Sequence, residues 1–203
     1  MKEGNIFIRL KNGLSVSDSA FDRMYSKRIQ VASEFYFTPV EVAIQASLFL
    51  SEHLNPHILD IGSGAGKFCL IGAAVSQGHY TGVEHDSTLH VSALKLAKKL
   101  TAKNVTFIHS NISSILFKDY TAFFLFNPFL ELLQQANAGN DDRALLKAKY
   151  KYYTQFVFEQ LRDMPAGTRL ATYFAHPGTV PPNYDLHSTS FEDKLKCWIK
   201  GGI

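Results

Sequence analysis

The stretch Ile58-Leu59-Asp60-Ile61-Gly62-Ser63-Gly64-Ala65-Gly66 decides the reading of this chain. It lies between a strand-like run, His57–Ile61, and a helix-like run, Lys67–Gln77. Glycines let the backbone turn tightly and let a ligand lie against bare peptide groups. In α/β folds such a turn sits at the carboxyl edge of the sheet, where ligands bind. Two phosphate-binding patterns fit poorly. The dinucleotide fingerprint is G-x-G-x-x-G, and here the third glycine, Gly66, comes one residue early. A phosphate-cradling loop ends in Gly-Lys-Ser/Thr, whereas Gly66-Lys67 is followed by Phe68. Asp60 points the same way. A carboxylate repels a diphosphate and attracts an ammonium or sulfonium, so the ligand should carry positive charge near this loop.

Working outward, strand and helix alternate. Upstream, Thr38-Pro39-Val40-Glu41 predicts a capped helix start, with Thr38 as the cap and Pro39 at the first helical position. Val40, Ala43, Ile44, Ser47 and Leu48 then recur at helical spacing, to near His53. Downstream, Tyr80–Glu84 reads as a strand, Thr88–Leu100 as a helix and Val105–Ser110 as a strand. Ala122–Asn127 is a fourth strand, apolar enough to be buried on both faces. Asp141–Asp163 follows as a long amphipathic helix and Arg169–Ala175 as a fifth strand. The alternation predicts a parallel sheet with helices on both faces. The tail differs. Pro177, Gly178, Pro181 and Pro182 exclude a regular helix over His176–Tyr184. Two short runs, Asp185–Ser190 and Lys194–Lys200, are close enough in sequence to pair antiparallel. Residues 1–35 carry few signals; Ile6–Leu10 reads as a short strand and Ser19–Glu34 as helix-compatible.

Composition narrows the classes. The chain has 203 residues, the size of one ordinary domain with or without an extension, and 46% hydrophobic residues supply a full core. A net charge of +3 does not by itself indicate a nucleic-acid binder. The two cysteines, Cys69 and Cys197, show no metal-ligand spacing and read as reduced, structural thiols. The N-terminus lacks the apolar stretch of a signal peptide, and no apolar run approaches the roughly 20 residues that span a bilayer, so a cytoplasmic location is expected. Lys147, Lys149, Lys151, Tyr150, Tyr152 and Tyr153 make a basic aromatic stretch, but residues two apart on a helix face away from each other, so only Lys147 and Lys151 share a face and a solvated helix packing its aromatics explains it.

The segment Asp60-Ile61-Gly62-Ser63-Gly64-Ala65-Gly66 matches without a gap the D-x-G-x-G-x-G signature of the class I S-adenosylmethionine-dependent methyltransferases, and the chain resembles that family over about residues 36–200. The resemblance implies an α/β fold with a three-layer, Rossmann-like sheet of seven strands, mostly parallel with the last strand antiparallel. Helical segments in residues 1–35 would precede a cofactor-binding methyltransferase domain over 36–203. It also implies S-adenosylmethionine as cofactor, held by Asp60, Gly62, Gly64 and Gly66. Glu84, at the end of the second strand, can accept from both ribose hydroxyls. His85 falls where the family places a residue against adenine, and Ile112 can pack on the same ring. Asn111 stands where the family usually has Asp; its side-chain carbonyl keeps an acceptor for the adenine amino group.

Two further segments resemble subgroups of the family. Phe35-Tyr36-Phe37-Thr38-Pro39 is similar to an aromatic-x-Thr-Pro segment of adenine-specific DNA methyltransferases, which implies Tyr36 and Thr38 at the methionine end of the cofactor. Lysine methyltransferases of the disruptor-of-silencing type also carry an aromatic segment upstream. Phe126-Asn127-Pro128-Phe129 resembles the N-P-P-F motif of amino-group methyltransferases, with one Pro rather than two. There the Asn side chain and the Pro carbonyl hold the target amine, which makes Asn127 and Pro128 the candidate catalytic pair and Asn127 a cofactor neighbour. The expected activity is methyl transfer to nitrogen, on a protein side chain or small molecule. A DNA adenine methyltransferase is the runner-up, disfavoured by the modest charge and the absent target-recognition domain. A non-catalytic cofactor-binding module is the alternative of another class.

Overall fold

The middle of the sheet is where the chain reverses its direction of travel. Strand β1 (His57–Ile61) pairs in parallel with β2 (His79–Glu84) on one side and β4 (Ala122–Phe126) on the other. Beyond β2 lies β3 (Val105–His109); beyond β4 lies β5 (Arg169–Tyr173). The full order is β3-β2-β1-β4-β5-β7-β6. The last strand, β7 (Leu195–Lys200), runs antiparallel to both β5 and β6 (Tyr184–Ser190). The crevice between the carboxyl ends of β1 and β4 is thus the switch point where such sheets bind ligands. The computed structural model describes residues 4–138, 142–176 and 178–202; the side chains of residues 4, 5 and 32–36 are outside the described set.

Alternation along the central strands builds two cores. Ile58, Ala122 and Phe124 face one layer, formed by α4 (Val40–Leu50), α5 (Lys67–Val75) and α6 (Ser87–Leu100). Leu59, Ile61, Phe123 and Leu125 face the other, against Val157 and Leu161 of α8 (Arg143–Arg162). Ring stacking locks both: Phe68 lies on Phe124 at 3.8 Å, and Phe117 on Phe123 at 5.1 Å. Burial on both faces is why these strands read as continuous apolar runs.

The N-terminal segment differs from its expected form. Ile6–Leu10 is not a strand but part of helix α1 (Gly4–Lys11). Ile6, Phe7 and Leu10 are buried while Ile8 is exposed, the pattern of one helical face packed on the core. The Ser19–Glu34 helix is two helices, α2 (Asp18–Asp22) and α3 (Lys27–Tyr36). Ser17 caps the first by accepting from the Ala20 amide. Thr38 does not cap α4. The N-cap is Pro39, and the free Val40 amide donates to Asp18 Oδ1 at 2.8 Å, so the acceptor comes from α2 rather than from the adjacent Thr. That helix ends at Leu50, short of His53. A short helix absent from the sequence reading, α7 (Leu130–Asn137), follows β4. Asp141, the expected start of the long helix, lies outside the described residues, as does Pro177. No helix among the described residues is long and apolar enough to cross a membrane.

Candidate active site

The glycine loop is pinned to β2 from beneath. The amides of Gly62 and Ser63 both donate to the Val83 carbonyl, and the Gly66 amide closes the turn onto the Ser63 carbonyl. Gly62, Gly64 and Gly66 all have positive φ. Gly66 is required twice over, since a Cβ there would also lie 2.4 Å from the Phe107 ring. At Gly62 a Cβ would touch Pro128 at 3.6 Å, which seats the end of β4 against the loop. At Gly64 a Cβ would meet nothing within 4 Å, so the loop offers bare backbone to open space. Such a surface fits a ligand laid against the loop.

Glu84 sits on the rim of that space. Its Oε2 accepts from the Gly64 amide at 2.9 Å and its Oε1 from the Asp86 amide at 2.8 Å. His85 Nδ1 is 3.1 Å from Oε1. Burial works to raise the Glu84 pKa, but the bonds from His85, Asp86 and Gly64 outweigh it and hold the carboxyl below its ordinary value. Hydrogen bonding to Glu84 raises the pKa of the mostly exposed His85 in turn. Oε2 accepts only from the Gly64 amide and keeps a further lone pair, which can take a hydroxyl.

Asp60 lies under the loop rather than on its surface. It is buried, and the Cys69 thiol donates to Oδ2 at 3.4 Å. Burial pushes the carboxyl up to about 7, the Cys69 bond pulls against this, and the nearby Glu84 charge adds to the rise. Cys69 and Cys197 are both buried and unbridged. A cation placed over this loop would favour the ionised form of Asp60.

Asn111, expected to meet adenine, is engaged with protein groups. Its Oδ1 accepts from the Ser113 amide and the Ser113 hydroxyl, capping the turn at Ile112–Ser114, while Nδ2 donates to the Tyr153 hydroxyl at 2.6 Å. Both lone pairs of that carbonyl are in use. Ile112 is buried among Ile108, Phe117 and Val157. On the methionine side, Thr38 is buried, whereas the Tyr36 side chain lies outside the described residues.

Asn127 and Pro128 close the site from β4. Asn127 has φ +38 and Phe129 φ +71, so two residues of this turn are left-handed. The Leu130 amide donates back to the Asn127 carbonyl and starts α7. Glu131, in the first turn of α7, has its pKa raised by burial, with His85 opposing and Glu84 adding to the shift. That coupling places Glu131 near the Glu84–His85 rim.

The N-terminal helices contribute groups that sequence reading missed. The Tyr25 hydroxyl donates to the Ala65 carbonyl inside the glycine loop at 3.1 Å. Lys67, only 4% exposed at the start of α5, is held by Asp18 at 2.7 Å and Asp22 at 2.8 Å. The rings of Phe21 and Phe37 flank its ammonium. A cation at a helix N-terminus opposes the helix dipole. That mismatch was the available signal that carboxylates from elsewhere must meet Lys67.

Residues 52–141 match the family model described as a methyltransferase domain. No curated protein sequence matches the chain. Among solved structures, an RNA methyltransferase from Salinibacter ruber in complex with S-adenosyl-L-homocysteine is 19% identical, with TM-score 0.54, covering 82% of this chain and 94% of that one. Precorrin-6y C5,15-methyltransferase from Geobacter metallireducens is 13% identical, with TM-score 0.53 and coverages of 80% and 88%. TrmN from Thermus thermophilus is 16% identical, with TM-score 0.58; the alignment takes in 88% of this chain and about half, 53%, of that one. With the strand order and the glycine loop, these likenesses show the class I methyltransferase fold, and the matched methyltransferase-domain model takes in residues 52–141 of it.

Proposed function

We propose that this protein transfers a methyl group from S-adenosylmethionine to a nitrogen held at the end of β4, in a protein side chain or a small molecule. The observation that carries this reading is the closeness of Pro128, the residue after Asn127, to the glycine loop, where a Cβ added at Gly62 would lie 3.6 Å from its side chain. The cofactor supplies a methyl group on a sulfonium. The nitrogen lone pair forms the new bond to the methyl carbon as the carbon–sulfur bond breaks, and its surplus proton leaves to solvent or a nearby base. The leaving thioether needs no acid. The protein therefore contributes alignment, through acceptor bonds to the Asn127 side chain and the Pro128 carbonyl, and exclusion of water.

In this reading Asp60 and the bare backbone at Gly62, Gly64 and Gly66 receive the methionine end, and Glu84 receives the ribose. Asn111 acts on the adenine side by holding the turn at Ile112–Ser114, and His85 and Ile112 are the residues assigned to the adenine ring. The N-terminal helices α2 and α3 and the turn between them cover the loop, fastened by Tyr25 to the Ala65 carbonyl and by Asp18 and Asp22 to Lys67. Thr38 and Tyr36 are the residues assigned to the methionine end of the cofactor. A second reading, a nucleobase acceptor, is favoured by the likeness to an RNA methyltransferase along nearly all of that protein's length.

Calorimetry with S-adenosylmethionine, S-adenosylhomocysteine and NADH tests the cofactor. Binding of the first two and none of the third is expected; tight NADH binding alone overturns the reading. Transfer of a labelled methyl group to any acceptor removes the non-catalytic alternative.

A further inference from the structure

Strands β4 and β5 stop side by side. Phe126 pairs with Tyr173 in the parallel ladder, so the next residues, Asn127 and Phe174, are neighbours at the carboxyl edge. Both are left-handed, with φ +38 and +50. A phenylalanine in that region is strained. Its amide donates to the Lys194 carbonyl, which holds it there. The ring is 48% exposed, although its inner neighbours Phe126 and Tyr173 are packed against it and each other. The strain therefore serves to present an aromatic face beside the proposed acceptor anchor rather than to bury it.

The ring forms one wall of a hollow of about 550 Å³, whose other walls include His176, Val180, Lys194, Lys196 and Trp198. The hairpin between β6 and β7 borders it, and that turn is itself strained: Phe191, Glu192 and Asp193 are all left-handed. Asp193 is the one carboxylate in the lining. Lys194 Nζ lies 5.7 Å from the centre of the Phe174 ring and is paired with Glu192 on the rim. Lys196 has no ion pair among the described residues. A positively charged acceptor would meet these two ammonium groups, whereas an anionic one would be drawn to them.

We propose that Phe174 is a stacking platform for a planar, anionic acceptor: a nucleotide whose base lies on the ring with an edge nitrogen at Asn127 and whose phosphate reaches Lys196. The hollow has the volume of a small-ligand site, and aromatic stacking beside a cation is the recurrent means of holding a nucleotide without reading its sequence. This inference rests on the methyltransferase reading and specifies its acceptor. A free nucleotide and a nucleotide within RNA share the chemistry.

The test is binding to the full-length protein saturated with S-adenosylhomocysteine, which blocks the cofactor site. The probes are the four nucleoside monophosphates, a single-stranded RNA of twelve nucleotides, and Nα-acetyl-lysine. Binding of monophosphates supports a free nucleotide; binding of the RNA alone supports the polymer. In either case Phe174→Ala should weaken binding about ten- to a hundredfold, Phe174→Trp should retain it, and Lys196→Ala should weaken it in a salt-dependent way. Affinity for S-adenosylhomocysteine and the melting temperature should stay within error in Phe174→Trp, which guards against a folding defect. Normal S-adenosylhomocysteine binding with no nucleotide or RNA binding, preference for acetyl-lysine, or an unchanged affinity in Phe174→Ala overturns the platform alone. Failure to bind S-adenosylhomocysteine at all overturns the methyltransferase reading and the platform with it.

Discussion

The two halves of the carboxyl edge are built differently. On the β1–β2 side the turns are tied down by backbone amides, those of Gly62 and Ser63 on the Val83 carbonyl and those of Gly64 and Asp86 on the Glu84 carboxylate. On the β4–β5 side, the strand ends are left-handed non-glycine residues, Asn127 and Phe174, beside clustered rings. The first half is a preformed cradle whose polar groups already point to fixed places. The second stores backbone strain and exposes aromatic surface. A shared cofactor suits a fixed cradle; an acceptor peculiar to one enzyme suits strand ends that can vary without disturbing it.

The sharpest way to break this comparison is Asn127→Ala. If the β4 end serves alignment alone, turnover should fall by roughly a hundredfold or more while cofactor affinity changes far less. Steady-state kinetics and calorimetry on the same variant check this, and parallel loss of both would make Asn127 part of the cradle. Glu84→Gln probes the other half. It keeps the shape but loses the charge that the Gly64 and Asp86 amides meet. Affinity for S-adenosylhomocysteine should fall by about one to two factors of ten, and an unchanged constant would put Glu84 outside the site.

Lys67→Met separates the cradle from its cover. It would remove the ammonium that both Asp18 and Asp22 meet. Breaking a buried pair costs about 3–5 kcal/mol. Asp18 is half exposed, so a loss of roughly 2–3 kcal/mol in denaturant unfolding is expected. Wild-type stability would show that the cover is not fastened there.

Asp60 gives the cradle a pH signature. Its carboxyl rises from an ordinary 3.8 to about 7 on folding, mainly through burial. Over that window the folded chain holds a proton that the unfolded chain has released. Stability of the cofactor-free protein should therefore be greatest at the acid end and decline as pH rises towards 7. Asp60→Asn should flatten that slope in melting curves taken from pH 4.5 to 7.5. The smallest effect is expected at Asn111. Asn111→Leu removes the cap on Ser113 and should cost about 1 kcal/mol, whereas Asn111→Asp keeps the acceptor and should hold both stability and cofactor affinity. A tolerated Leu would show that the turn does not depend on its cap.

The strands around the glycine loop were legible because each carries its own signal within a few residues. His57–Ile61 and Ala122–Phe126 are apolar runs bounded by turn residues, and the structure places their ends within one residue of expectation. Residues 1–35 were not legible because their signals lie elsewhere in the chain. Ile6, Phe7 and Leu10 suit a strand as well as a helix until α5 supplies the surface to pack on. Thr38-Pro39-Val40-Glu41 has the right letters for a capping box, yet Asp18, 22 residues away, takes the Val40 amide.

By itself, then, the amino-acid sequence determined the strand order's raw material and the glycine loop, which follow from local spacing and from turns that favour glycine, and the loop's resemblance to a known family pointed to the cofactor. The tertiary structure decided what each polar group faces. It buried Asp60 beneath the loop on Cys69, drew the Asn111 carbonyl onto Ser113, clamped Lys67 between two N-terminal carboxylates and set Phe174 beside Asn127. Each of these depends on residues far apart in the chain meeting at one edge of the sheet. Hydrogen bonds, burial and stacking act over a few ångströms in space, and no spacing along the sequence encodes that distance.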